Sequence, residues 1–119
     1  MTQLEDEFQA MLLDDARIVH QKSGYYGGWF VDMVVKQTGV GAARHLIDQP
    51  EPQSGLNRLW LEGQRIHQDL LQYSLEARML MPKYAPLFKK AQLDTAYDRL
   101  ALYDDYCPPW AKDYKRQAG

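Results

Sequence analysis

Residues 56–80 read LNRLWLEGQRIHQDLLQYSLEARML and contain no proline. Apolar or small residues recur in this stretch every three or four positions, which is the period of an amphipathic helix. The stripe comprises Leu56, Leu59, Trp60, Gly63, Ile66, His67, Leu70, Ser74 and Ala77. The pattern predicts one long central helix that ends before Pro82, because proline interrupts a helix.

Two side chains on this stripe carry specific expectations. We expect Trp60 to anchor the core, so that Trp60→Ala would cost about 3 to 5 kcal/mol of stability. His67 lies on the same apolar stripe, which predicts a packed and hydrogen-bonded core histidine rather than a metal ligand.

Shorter helical patterns flank this stretch on both sides. Residues 4–20 carry one apolar stripe and end at Ser23-Gly24, and helical spacing returns over residues 29–37, 39–47 and 93–103. Thr38 is a predicted cap for the helix over residues 39–47, and Ser54 for the long helix. Residues 48–55 contain two prolines and a glycine and are expected to form a loop.

The absence of alternating strand patterns completes the prediction of the fold. The chain is expected to be an all-α, single-domain bundle of four to five helices with one long central helix. We place the domain over residues 1–107 and a basic C-terminal tail over residues 108–119.

Size and charge bound the possible functions. A chain of 119 residues is long enough for one domain that buries about two-thirds of its surface. The formal charge of −2 excludes a histone-like polycation and a DNA-mimicking polyanion. The single cysteine, Cys107, allows no intrachain disulfide, and the acidic N-terminal stretch lacks the pattern of a signal peptide. These features predict a cytoplasmic protein that does not span a membrane.

Motifs of known enzyme classes are missing from the sequence. It contains no G-x-S-x-G, no phosphate-binding loop, no C-x-x-C and no H-E-x-x-H. His20, His45 and His67 have no histidine or carboxylate partner at the spacing of a helical metal site. We therefore expect a non-enzyme without metal or cofactor; a carboxylate or histidine buried in a sizeable pocket would instead favour an enzyme.

Aromatic residues cluster around three glycines near position 25. Such rings are enriched at protein interfaces, because a rigid ring gains contact area at low entropy cost. We predict a protein-binding surface formed by Tyr25, Tyr26, Trp29 and Arg58. The alternative is that the rings pack inward and fasten the loop to the core. A second aromatic group lies at Tyr106, Trp110 and Tyr114.

Nucleic-acid binding is the alternative function. Residues 35–46 have a Gly-Val turn that is similar to a helix-turn-helix, but the second helix offers chiefly Arg44 and His45 to base edges. The predicted nucleic-acid contacts are Arg44, Lys112, Lys115 and Arg116. The arginines at 58, 65, 78 and 99 are expected to form surface salt bridges with Glu62, Asp69 and Asp98.

Several blocks of the sequence, in this order, resemble a widespread bacterial family of small helical proteins without an assigned activity. The blocks are Gly24-Tyr25-Tyr26, residues 39–44 (GVGAAR), residues 54–60 (SGLNRLW), residues 75–77 (LEA), residues 82–88 (PKYAPLF) and residues 93–100. The sequence departs from the family pattern in residues 64–74, which are longer, and at Lys89, where a capping residue is usual. The resemblance implies a regulatory or inhibitory binding role in a phage or defence setting, and no catalytic residues.

Overall fold

The computed structural model describes residues 2–50 and 54–116. Its architecture is all-α, which confirms the predicted fold class. Within these ranges the chain forms six α-helices: α1 (Gln3–Ser23), α2 (Gly28–Gln37), α3 (Gly39–Ile47), α4 (Ser54–Ile66), α5 (Leu75–Met79) and α6 (Lys90–Ala101). Short 3-10 helices cover Leu71–Tyr73, Ala85–Leu87 and Pro109–Ala111.

Helix α1 is the longest of the described helices and packs against α2, α3 and α4. Its start is fixed by a capping box, in which the Thr2 hydroxyl accepts from the Glu5 amide and the Glu5 carboxylate accepts from the Thr2 amide. Its buried face repeats every three or four residues and consists of Phe8, Leu12, Asp15 and Val19. Helix α1 therefore takes the place of the long central helix that the sequence pattern predicts for residues 56–80.

The prediction of one continuous helix over residues 56–80 is wrong. Helix α4 ends at Ile66, His67 has a left-handed backbone with φ of 57°, and the Gln68 amide donates to the Gly63 carbonyl at 3.0 Å. The chain then restarts as α5, which Ser74 caps by accepting from the Ala77 amide at 3.1 Å. Short polar side chains compete in this way with helix continuation, because they satisfy backbone groups locally.

The same interruption changes the environment of two predicted core residues. His67 is exposed at the turn, so the prediction of a packed core histidine is wrong. Trp60 is half-buried and packs on the Tyr103 ring with a centroid separation of 5.7 Å. It borders the core rather than forming its centre, which contains the fully buried ring of Phe8 between Tyr84 and Phe88.

The N-terminus of α3 follows the predicted cap. Thr38 accepts from the Gly41 amide at 3.1 Å. At its other end, the buried Arg99 of α6 donates to the carbonyl of Leu46 at 3.1 Å and to that of Gln49 at 2.5 Å. Arg99 thus satisfies carbonyl groups at the helix C-terminus, which have no partner within the helix. The expected surface salt bridge of Arg99 is therefore wrong. The prediction that Ser54 caps α4 concerns a side chain outside the described part of the chain.

The predicted basic tail lies, as far as Arg116, against the bundle. The Trp110 indole donates to the Ala77 carbonyl at 2.7 Å, and Ala111 is buried. Tyr114 donates to the Asp94 carboxylate at 2.5 Å, and Arg116 forms an ion pair with Asp98 at 2.6 Å. None of the helices in residues 2–50 and 54–116 is both long and apolar enough to cross a membrane.

Candidate binding site at the aromatic corner

The aromatic corner consists of Tyr25, Tyr26, Trp29 and Arg58, where the chain turns from α1 into α2 and meets the start of α4. The turn begins at Gly24, whose φ of 83° is a left-handed conformation that a side chain would strain. Tyr26 and Trp29 are 54% and 42% exposed, so a large part of each side chain is accessible to solvent instead of lying in the core.

Contacts within the corner hold its rings in fixed positions. The Arg58 guanidinium lies 4.8 Å from the centroid of the Tyr25 ring and donates through Nε to Glu62 at 3.1 Å. The Trp29 ring packs edge-on against Phe30 and lies against Gly55, where an added Cβ would be 2.9 Å from the indole. The edge of the Trp29 indole can therefore approach the first turn of α4 closely because residue 55 has no side chain.

Tyr26 faces a different neighbour from the other corner residues. Its ring lies 5.4 Å from the His20 ring at the end of α1. The structure thus brings Tyr25, Trp29 and Arg58 together and places Tyr26 beside them on the outer surface.

A cavity of about 80 Å³ extends inward from the corner between α1, α2, α4 and α5. Its outer wall includes the half-buried Tyr25 and the exposed Trp29, and its buried wall includes Leu12, Leu56 and Glu76. Most of the lining is apolar. The other residues that line the cavity are Asp15, Ala16, Val19, Gly27, Phe30, Leu46, Gly55, Leu59, Tyr73, Ser74 and Leu75. Because the half-buried Tyr25 and the exposed Trp29 form one side and buried residues the other, the cavity is a pocket that opens beside these two rings of the corner.

Asp15 is the first of two buried carboxyl groups on this cavity. Its two oxygens accept from the Arg78 guanidinium at 2.9 Å each, so α1 and α5 are joined by a bidentate ion pair. Burial raises the pKa of Asp15 to about 6, although the hydrogen bonds and charge of Arg78 act in the opposite direction. Arg78 also lies 5.2 Å from the centroid of the Trp110 ring.

Glu76 is the second buried carboxyl group and is only 4% exposed. Burial raises its pKa, while its own backbone amide and the charge of Arg99 lower it. Among the described residues, its own amide is the one hydrogen-bond partner that the structure gives this carboxyl group. Arg99 directs its donors to backbone carbonyls of residues 46–49 instead. Glu76 therefore keeps hydrogen-bonding capacity on the cavity wall.

A buried carboxylate in a pocket is the observation that would favour an enzyme. Catalysis by general acid and base, however, commonly requires two groups with separate roles. Each oxygen of Asp15 accepts from Arg78, and Ser74 uses its hydroxyl to donate to Leu71 and to accept from Ala77. The cavity therefore combines largely apolar walls with the buried carboxyl group of Glu76.

The residues of the nucleic-acid alternative lie on connected parts of the surface. Arg44 donates to the Leu87 carbonyl at 2.8 Å, and Lys90, three residues later, donates to the Lys115 carbonyl. Lys112 is exposed. Of the four predicted contacts, Arg116 pairs with Asp98, and the neighbouring Lys90 pairs with Asp94. The positive charge available to a phosphate backbone is therefore reduced.

The buried polar residues were missed by the sequence reasoning, although one had a signal. Asp15 lies three residues after Leu12 and four before Val19, which is the spacing of the buried face of α1. A carboxylate at such a position requires a buried cation, and Arg78 supplies it. The expected surface salt bridge of Arg78 is therefore wrong, whereas Arg58 and Arg65 pair with Glu62 as predicted.

The described residues contain no group of three or more histidine, cysteine, aspartate or glutamate side chains placed to hold a metal ion. Comparison of the chain with protein-family models, with curated proteins and with solved structures gave no significant match. The resemblance to a bacterial helical family consequently stays an expectation from the sequence blocks.

Proposed function

We propose that this protein is a non-catalytic binding module that recognises another protein through the aromatic corner. The observation that carries the proposal is the pocket behind Tyr25 and Trp29. Interface hot spots are enriched in tyrosine, tryptophan and arginine, and they pair with pockets that a partner side chain fills. The corner combines these residue types with an open apolar cavity.

The partner can be identified by affinity purification from the native host followed by mass spectrometry. Once it is known, Trp29→Ala and Tyr26→Ala should each weaken its binding by about 2 kcal/mol or more, as expected for hot spots. Leu102→Ala is the matched control, because Leu102 is an apolar residue that is 70% exposed outside the corner. Binding should be unchanged in this variant.

Unfolding curves of the same variants separate a binding role from a structural one. If Trp29→Ala and Tyr26→Ala fold cooperatively and lose the partner, the corner is the interface. If they unfold the domain, the corner belongs to the core, and the proposal fails.

Nucleic-acid binding through Arg44, Lys112, Lys115 and Arg116 is the second candidate. The contacts that connect Arg44 to the tail through Leu87 and Lys90 favour it, and the pairing of Arg116 with Asp98 and of Lys90 with Asp94 counts against it. Binding of this kind would weaken steeply with added salt. A gel-shift assay at about 50 mM salt that detects no DNA or RNA complex would exclude it.

The cellular setting is proposed on the sequence features alone. The absence of disulfide chemistry favours the cytoplasm, and the family resemblance favours an accessory or inhibitory role in a phage or defence context. Identification of the neighbouring genes would test this setting directly.

A further inference from the structure

The buried wall of the cavity contains one carboxyl group, that of Glu76, which forms no salt bridge with the described residues. Asp15 is bound by Arg78, Ser74 has both a donor and an acceptor contact, and Arg99 is held by backbone carbonyls. The buried Glu76 carboxyl group accepts from its own amide, and Arg99 and Tyr103 lie near enough to interact with it electrostatically. A ligand that enters the cavity therefore meets a carboxyl group as its distinctive contact.

The size of the cavity limits the ligand. An engineered cavity of about 150 Å³ is known to hold one benzene molecule. A cavity of about 80 Å³ therefore holds roughly three heavy atoms of a chain, while the rest of the ligand lies at or outside the mouth. A narrow alkyl chain fits this description better than a ring.

The cavity walls also suit such a chain. Phe30 and Tyr73 line the cavity, and Tyr25 and Trp29 line its outer part. Methylene groups gain free energy against apolar and aromatic surface, and an ammonium is attracted to the face of an aromatic ring. A carboxylate behind these walls complements a positive charge at the end of the chain.

We propose that the cavity receives a lysine side chain presented by the partner protein, with the four-carbon chain between the aromatic rings and the ammonium on the Glu76 carboxylate. This inference rests on the proposed function, because it names the chemistry of the partner. The shared recognition element is a primary alkylammonium group, which free small amines also carry.

The test uses n-butylammonium chloride, which reproduces the lysine side chain without a partner. Titration into the ¹⁵N-labelled full chain should shift the amide resonances of Ala16, Tyr25, Trp29 and Glu76 with millimolar affinity. 1-Butanol of the same length should bind at least about tenfold more weakly, because the charge-assisted hydrogen bond is lost. Equal binding of the amine and the alcohol would overturn the proposal.

Glu76→Gln keeps the size of the side chain and removes its charge, so butylammonium binding should weaken by about tenfold or more. Glu7→Gln is the matched control, because Glu7 pairs with Lys83 on the surface and does not line the cavity. If Glu76→Gln does not fold, Ala16→Leu provides the same test by filling the cavity from α1. Butylammonium binding that persists in the folded variant would overturn the assignment.

A blocked lysine, N-acetyl-lysine N-methylamide, distinguishes the two sources of the amine. Binding comparable to that of butylammonium supports a lysine of a partner chain, whereas binding of butylammonium alone overturns the lysine assignment. Failure of both amines while Trp29→Ala still weakens the partner would overturn this inference and leave the proposed function standing. Binding of both amines, with partner binding unchanged in Trp29→Ala, would instead overturn the proposed function.

Discussion

Buried ionisable side chains are the residue-scale feature that distinguishes this molecule from a simple helical bundle. Asp15, Glu76 and Arg99 are each no more than 5% exposed. Burying a charge is costly unless it is paired and hydrogen-bonded. Asp15 and Arg99 obtain their partners from distant parts of the chain, which a local sequence pattern does not show.

Asp15 gives a testable dependence of stability on pH. An aspartate carboxyl group ordinarily has a pKa of 3.8, and burial raises the pKa of Asp15 to about 6 in the folded protein. Because the folded state binds the proton more tightly, Asp15 contributes stability that is fully present below about pH 4 and is lost as pH rises through about 6. From about pH 4 to about pH 7, the free energy of unfolding of the wild type should fall by up to about 3 kcal/mol relative to Asp15→Asn.

Urea unfolding of both proteins at several pH values measures this change. Asp14→Asn is the control, because the exposed Asp14 pairs with Arg17 on the surface and its replacement should alter stability by less than about 1 kcal/mol. A wild type that instead becomes more stable relative to Asp15→Asn as pH rises would show that attraction to Arg78 outweighs the cost of burial.

At the scale of elements, local signals determined how much of the fold could be predicted. The first three helices match their predicted ranges closely, because their ends carry strong local features such as the Thr38 cap. In residues 56–80 the helical spacing of apolar residues continues from α4 into α5, although the helix itself is interrupted between them. The spacing alone therefore did not reveal the interruption. Asp69 and Ser74, which bond backbone amides after the break, were the available signals.

The break predicts opposite effects for two histidine-to-glycine substitutions. His67 has φ of 57°, a conformation that costs a side chain about 1 to 2 kcal/mol, so His67→Gly should raise the free energy of unfolding by about 1 kcal/mol. His45 is exposed within α3, and glycine disfavours a helix, so His45→Gly should lower the free energy of unfolding by about 1 kcal/mol. Thermal melts compare the two, and destabilisation by His67→Gly would contradict the left-handed turn.

At the scale of the whole molecule, the aromatic corner could be found from sequence but its cavity could not. Clustered rings beside glycines are visible in the sequence. The cavity depends on α1, α4 and α5 meeting behind those rings, and the residues that line it span positions 12–76. That meeting is set by tertiary packing, including the ion pair between Asp15 and Arg78.

The C-terminal segment should contribute to the stability of the bundle. A chain ending at Cys107 loses the buried Pro108 and Ala111 and the Trp110 contact with Ala77, so its free energy of unfolding should fall by at least about 3 kcal/mol. Trp110→Phe, which keeps a ring and removes the N–H donor, should cost about 1 kcal/mol. An unchanged melting temperature for the shortened chain would show that residues 1–107 fold independently.

The ion pair between α1 and α5 also sets an order of events during protein synthesis. Asp15 and Arg78 are 63 positions apart, and a ribosome adds about 5 to 20 residues per second. For several seconds after Asp15 emerges, the guanidinium that satisfies it has not yet been made. Helices α2, α3 and α4 are made earlier and can cover part of the buried face of α1, whereas Asp15 on that face has no counter-ion until α5 appears.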